Sequence, residues 1–391
     1  MRGWPRHLAA MACAAVLLFL LGDVASHVSA GLTLPYDSRH AHLNSLGEGQ
    51  PFTRGYQYVA DRLRTGDAVV LFASSELVNR KTPFVAHNFL PDRLGIPLVS
   101  LGRGYFQSFP EYLLLSSLAP QLNASSRVVI LFSPGWINLN RVPPNFFPYY
   151  LQDDLVYDTR RHGGDLGDLS GYLHDRSDDL EHLSPALREV MRALPVGPPS
   201  RPRRLLAWGS DLLLQARGWS YQWVAALYKL SAWLDGGAPP ALPPASEPDW
   251  PDLERQAIAD ETPLMTNNQL WVHDQYFTQY LTDHPHGGAS LFGQETHEDV
   301  ELSYLRRNLE LLRKHDAKVL LVILPLNGRV YGDLDRFQPV RPQIHAMADE
   351  LGVQLYDMWE QTPEIGLMGD GMHIGSLGWV RIDRAIARWA R

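Results

Sequence analysis

The sequence predicts an α/β fold, a doubly wound parallel sheet carrying a helical insertion at about residues 143–296 and preceded by an apolar segment over residues 1–30. Short apolar runs at Ala68–Phe72, Ile96–Ser100, Arg127–Ser133, Lys318–Leu324 and Val353–Tyr356 alternate with stretches of helical length. Runs of this length with little polar alternation are the pattern of strands covered on both faces, as in parallel sheets. Strands alternating with helices imply right-handed crossovers between parallel neighbours. Several runs end in small residues or glycine, which let the chain turn sharply where a ligand would sit.

In chain order, Arg2, Arg6 and His7 precede the apolar run Leu8–Gly22. A basic start followed by such a run is a membrane-targeting segment with its basic end on the cytoplasmic side. It is read as an uncleaved anchor reaching through Asp23 to Ala30, with cleavage after Val28-Ser29-Ala30 as the alternative. On either reading residues 31–391 form an extracytoplasmic domain, and on the anchor reading the protein is single-pass in the cell membrane. Cys13, the only cysteine, falls inside the apolar segment, so the exported part has no disulfide, thiol nucleophile or cysteine-based zinc site. Residues 31–65 are polar, with a helix predicted at about Thr53–Arg64.

The first strand runs into Ala73-Ser74-Ser75-Glu76 and then a predicted helix, placing Ser75 at the carboxyl edge of the sheet beside a helix N-terminus. Taken alone, a Ser-Ser pair more often merely caps a helix. The second strand leads to Leu101-Gly102-Arg103-Gly104, whose backbone N–H groups, with that of Ser75, are candidates for an oxyanion site. Phe109–Leu118 reads as a helix, and the third strand ends at Pro134-Gly135-Trp136, where Trp136 either walls a pocket or packs in the core.

The middle of the chain has helical patches at Ser184–Leu194 and Arg204–Leu234 and a proline-rich loop at Gly236–Pro251. Trp208, Trp219, Trp223 and Trp233 in the second patch are read as core packing, with a membrane or partner-helix surface as the other reading. The insertion is placed at the carboxyl edge as a lid or acceptor groove. The α/β pattern resumes with a helix at Glu298–His315, a strand leading to Pro325-Leu326-Asn327-Gly328, and helices at Pro339–Leu351 and Leu377–Ala390. Just before the last helix stands Asp370-Gly371-Met372-His373. A carboxylate three residues before a histidine can hold the imidazole as it takes a serine proton. A doubly wound sheet brings first and last loops to one edge, so Ser75, His373 and Asp370 form a candidate acyl-transfer site.

Composition narrows the alternatives. A hydrophobic content of 45% supports a large core, and a net charge of −8 without a basic run argues against nucleic acid as a partner. Neither a P-loop nor a dinucleotide fingerprint is present, and His284-Pro285-His286 does not supply a convergent metal shell, so no cofactor or metal is expected.

Together these blocks resemble the DltD family, the D-alanine transfer proteins of cell-envelope polymer modification, whose fold is of the SGNH/GDSL hydrolase type. The family's GSSEL block is similar to Ala73–Leu77, its GRG-x-x-QS block to Gly102–Ser108, and its Ser-Pro-x-Trp strand end to Ser133–Trp136. An Asn-Asn block resembles Asn267-Asn268, a P-x-N-G loop Pro325–Gly328, and a D-x-x-H-x-G-x-x-G-W ending Asp370–Trp379. The resemblance implies that Ser75 is the nucleophile, His373 the general base and Asp370 its orienting carboxylate. Around them it implies an oxyanion and substrate site including Ser74, Gly102, Arg103, Gly104, Gln107, Trp136 and Asn327. Ala73 stands where the family has glycine, and no Gly-x-Asn-Asp block follows the third strand, which leaves an asparagine contribution to the oxyanion site open. The activity implied is transfer of D-alanine through a serine ester to hydroxyls of an envelope glycopolymer such as lipoteichoic acid, or of a glycolipid. The partners implied are a DltB-like membrane-bound O-acyltransferase and a carrier protein charged with D-alanine. An envelope polysaccharide O-acetyltransferase or esterase, and a non-catalytic scaffold for the membrane acyltransferase, stand as alternatives.

Overall fold

The computed structural model describes residues 4–43, 52–78, 82–137, 155, 159, 201–234, 238–292, 298–361 and 363–391. The predicted Ser184–Leu194 helix lies outside the described residues, as does most of the first half of the predicted insertion.

Six strands form one sheet: β1 (His42–Leu43), β2 (Val69–Phe72), β3 (Leu98–Leu101), β4 (Arg127–Phe132), β5 (Lys318–Ile323) and β6 (Gln354–Asp357). Their order is β1-β3-β2-β4-β5-β6 and every pairing is parallel, with Val69 opposite both Leu98 and Arg127, and Arg127 opposite Lys318. The connection from β2 to β3 moves one way along the sheet and that from β3 to β4 moves the other. The order therefore reverses at β2, and a crevice opens at the carboxyl ends of β2 and β4.

Side chains alternate between two cores, as period-two geometry requires. Val70, Phe72, Val128, Ile130, Phe132, Leu321 and Ile323 join one. Val69, Leu71, Val129, Leu131, Leu320 and Val322 join the other. The first face is covered by α2 (Phe52–Thr65), α4 (Ser108–Ser117), α8 (Glu298–Lys314) and α9 (Arg341–Leu351). The second is covered by α3 (Ala86–Leu94), α6 (Trp250–Glu261) and α10 (Ser376–Ala390). Both faces being closed explains why these strands carry almost no polar residues.

Three elements depart from the sequence expectation. β1 is two residues of mixed polarity paired to β3 at the sheet edge, too short to leave a periodic signal. Among the described residues no α-helix starts at Ser75; the chain closes a 3₁₀ turn, Ser75–Leu77, and the next described α-helix starts at Ala86. The insertion is not wholly a peripheral lid. Asp249 caps α6, accepting from the Asp252 N–H at 3.0 Å, and Trp250 and Ala257 then pack into the second core.

At the other end, α1 spans Trp4–Ala30, and its stretch Ala9–Ser29 is long and apolar enough to cross a membrane. α5 (Arg201–Leu234) packs along α1 and against α2. The expectation that its tryptophans are core packing is not met at Trp219 and Trp233, which are 45% and 55% exposed. α7 (Asp274–Tyr280) closes the described part of the insertion.

Candidate active site

β2 ends at Phe72, and the next residues are bent into the crevice by short-range bonds. Ser74 N–H donates to Glu76 Oε2 at 3.0 Å, and Ser74 Oγ donates to the Arg103 carbonyl at 3.1 Å. Val78 N–H closes the turn on the Ser75 carbonyl at 3.0 Å. The Ser74 side chain thus ties the β2 exit to the β3 exit and presents Ser75 outward. The Ser75 N–H has no acceptor among the described residues. Because the turn is not the start of an α-helix, it offers single amides instead of a helix terminus.

Asp370 and His373 arrive from the loop before α10. His373 Nε2 lies 2.7 Å from Ser75 Oγ, and His373 Nδ1 lies 2.7 Å from Asp370 Oδ2. Asp370 Oδ1 accepts the Met372 and His373 N–H groups, each at 2.7 Å, so one carboxylate fixes both the loop and the ring. With Nδ1–H donated to Asp370, Nε2 is left as the acceptor of the serine proton. Burial opposes ionisation of Asp370, but the bonds and charge of His373 and the backbone N–H groups outweigh it and hold its pKa below the ordinary value. For His373 burial disfavours the cation, yet the Asp370 hydrogen bond and the charges of Asp370 and Glu76 raise its pKa to about 9.

The other predicted site residues divide. The Gly102 N–H donates to the Leu43 carbonyl at 3.2 Å as part of the sheet, which removes it from oxyanion binding. Its φ is +148°, and a Cβ there would lie 1.6 Å from the Ala73 carbonyl oxygen, so Gly102 serves the close approach of the two strand exits. Arg103 and Gly104 remain beside Ser75 through the Ser74–Arg103 bond. Gln107 is buried at the start of α4, its carbonyl accepting the Glu111 N–H at 3.1 Å and its Nε2 without a partner among the described residues. Trp136 does not wall the crevice; it is 2% exposed and stands edge-on to Phe132 in the core, because the 3₁₀ turn after β4 folds it back under the sheet edge. Asn327 is equally buried and fully engaged. Its Nδ2 donates to the Leu270 carbonyl at 2.9 Å, its Oδ1 accepts the Arg329 N–H at 2.9 Å, and its N–H donates to the Gly371 carbonyl at 3.1 Å. Asn327 is therefore a latch on the His373 loop, buried beneath the site. Asn268 shapes the turn it grips, accepting the Leu270 and Val272 N–H groups.

Sequence reasoning missed two features. Glu76, inside the serine block, is buried close enough to act on His373; its position next to Ser75 was the available signal. Glu261 of α6 braces the same loop from behind. Its Oε1 accepts the Ser376 N–H at 2.7 Å and its Oε2 lies 2.5 Å from His273 Nε2, while the His273 N–H donates to the Gly369 carbonyl at 2.9 Å. Separated by more than a hundred residues from Ser376, Glu261 left no local pattern to find.

Fold and site together define a class: an α/β protein of SGNH-like architecture with a Ser–His–Asp array at the carboxyl edge of its parallel sheet. The chain belongs to the DltD protein family, whose profile matches residues 50–391. It is similar to Protein DltD of Staphylococcus aureus (strain NCTC 8325 / PS 47), 28% identical over 151 residues. That match spans 37% of this chain and 38% of the relative.

Proposed function

We propose that this protein is an extracytoplasmic serine acyltransferase of D-alanylation, held to the membrane by α1. The observation that carries the reading is the unbroken line of 2.7 Å contacts from Ser75 Oγ through His373 to Asp370; membership of the DltD family supplies the acyl group. His373 takes the Ser75 proton as Oγ attacks the carbonyl of an activated D-alanyl ester or thioester. The resulting oxyanion is held by the Ser75 N–H and an amide of the Arg103–Gly104 turn. Collapse breaks the bond to the donor's oxygen or sulfur, which leaves with the proton from His373, and an alanyl-serine ester remains. An acceptor hydroxyl on an envelope glycopolymer or glycolipid then gives its proton to His373 and attacks the ester, and Ser75 recovers its proton as it leaves. A positioned base of this kind contributes roughly 10²–10⁴-fold to the rate. The donor is a membrane-bound O-acyltransferase of the DltB kind, itself served by a D-alanyl carrier protein.

The test is alkali-labile D-alanine on the envelope of a deletion strain complemented with wild type or Ser75→Ala at equal protein levels. Loss of the ester in Ser75→Ala is expected. Ester retained by Ser75→Ala, where the deletion abolishes it, overturns the covalent mechanism and leaves a scaffold. An unchanged ester in the deletion itself overturns the acyl group assigned here.

A further inference from the structure

The loop that carries His373 is flanked by tyrosine rings that the acyl-transfer chemistry does not use. Gly371 lies against Tyr331, where a Cβ would come 2.5 Å from the phenol oxygen, so only glycine lets the two meet. The Tyr276 hydroxyl lies against both Tyr331 and the Gly371 backbone. One turn further along α7, the Tyr280 ring stands 5.1 Å from that of Tyr276, tilted by 45°. Tyr276 and Tyr331 are half-buried, whereas Tyr280 is 60% exposed. A row of three phenols therefore leads from Gly371, two residues before His373, out to solvent. The row is fixed to the loop. Phe277 packs on a small core that includes Leu281, Leu270, Val272 and Val330. The His273 N–H ahead of α7 donates to the Gly369 carbonyl at 2.9 Å, and the Tyr331 N–H donates to the Asn327 carbonyl at 3.1 Å.

Phenol rings offer an apolar face and a polar tip, and a sugar ring matches both. The C–H face of a hexose packs flat on an aromatic ring, while its edge presents hydroxyls that pair with phenol oxygens. Charge narrows the ligand further. Burial and then the Asp370 carboxylate raise the Tyr276 pKa. At Tyr331 burial and the neighbouring Tyr276 raise it first, and the charges of Asp370 and Asp333 add to them. The row of rings thus sits in a negative field, which repels a phosphate and admits a neutral sugar.

We infer that Tyr276, Tyr280 and Tyr331 form the acceptor subsite, and that the group bound there is an uncharged hexosyl ring, a step that rests on the reading of Ser75 as the acyl-transfer nucleophile. Tyr280 supplies the stacking face, and Tyr276 and Tyr331 supply hydroxyl contacts nearer the loop. A hydroxyl of the bound ring gives its proton to His373 as its oxygen attacks the acyl-serine carbonyl. The bond to Ser75 Oγ breaks, and Ser75 takes that proton back. The acceptor hydroxyl then belongs to a sugar and not to a polyol phosphate chain.

Saturation-transfer NMR titration tests it, on the full chain in micelles of lauryldimethylamine oxide, a detergent without a sugar. The probes are methyl α-D-glucopyranoside and sn-glycerol 3-phosphate. Wild type binds the glucoside saturably and gives no saturable signal with glycerol 3-phosphate. Tyr280→Ala weakens glucoside binding roughly fivefold, the scale of one aromatic contact. Tyr280→Leu keeps apolar bulk on α7 without a flat face and weakens it equally, so the result does not hang on one variant folding. Tyr280→Phe keeps the ring and binds as wild type does. The inference is overturned if wild type does not bind the glucoside, if it binds glycerol 3-phosphate as well, or if binding is unmoved in both Tyr280→Ala and Tyr280→Leu. Fluorophosphonate labelling of Ser75 in the same wild-type sample separates the two readings. With Ser75 labelled, such a result leaves the acyl-transfer mechanism standing. With Ser75 unlabelled, the mechanism itself fails and the acceptor subsite falls with it.

Discussion

Glu76 stands one residue beyond Ser75, the proposed nucleophile, and its carboxylate is buried against the Ser74 amide. Burial raises its own pKa, while its charge helps raise that of His373 to about 9. A general base must be neutral, so the nucleophilicity of Ser75 rises with pH through the neutral range toward that value. Removing the Glu76 charge destabilises the imidazolium and lowers the His373 pKa. Glu76→Gln, whose amide oxygen can still accept the Ser74 N–H, therefore moves the acidic limb of the profile to lower pH. The rate of Ser75 phosphonylation by a fluorophosphonate reads this without the natural substrate, and an unmoved limb would show that Glu76 does not tune the base. Ser75, Asp370 and His373 were legible because acyl transfer demands those residue types at strand exits. Trp136, Gly102 and Asn327 were equally visible in the sequence, but motif position does not tell which way a side chain turns. Only the turn after β4 and the bonds of Asn327 reveal that these residues build the site from beneath.

At the scale of elements, the central strands were readable because both faces of the sheet are covered, leaving β2, β4 and β5 as continuous apolar runs. β1 and α6 were not, since one is two residues long and the other gains its place only by packing on α10. α10 itself carries an anomaly. Asp383 is fully buried, and neither carboxyl oxygen has a hydrogen-bond partner among the described residues. Burial pushes its pKa well above the ordinary carboxylate value, so folding favours the protonated form. The sign follows from linkage: full stability is present below the unfolded-state pKa and is lost as pH rises from there toward the folded-state pKa. Asp383→Asn cannot ionise. It is expected to be about 1–3 kcal/mol more stable than wild type near neutral pH, with the difference vanishing in acid. Denaturant unfolding at the two pH values checks it, and equal midpoints at neutral pH would mean that the carboxyl finds a partner.

Across the whole molecule, Asp61 joins three parts that are remote in sequence: the segment leaving α1 through Leu34, α2 over the sheet, and α5 through Lys229. The link from α1 to the α/β domain is thus a buried ion pair together with the Gly22–Trp223 seat, neither of which has a sequence signature. The two contacts have separable consequences. Lys229–Asp61 fastens α5 to the domain, whereas Gly22 serves only the packing of α1 on α5. A side chain at position 22 has nowhere to go, because its first carbon already overlaps the indole. Overpacking of this kind typically costs about 1–3 kcal/mol, borne here by the helix pair. Gly22→Leu is therefore expected to speed amide hydrogen exchange across residues 219–227 of α5 while β2, β4 and β5 keep their protection, since local opening is measured separately from global unfolding. Unchanged exchange in α5 would mean that its protection does not depend on the Gly22 seat. Loss of protection in the sheet would mean that the anchor carries part of the domain's own stability.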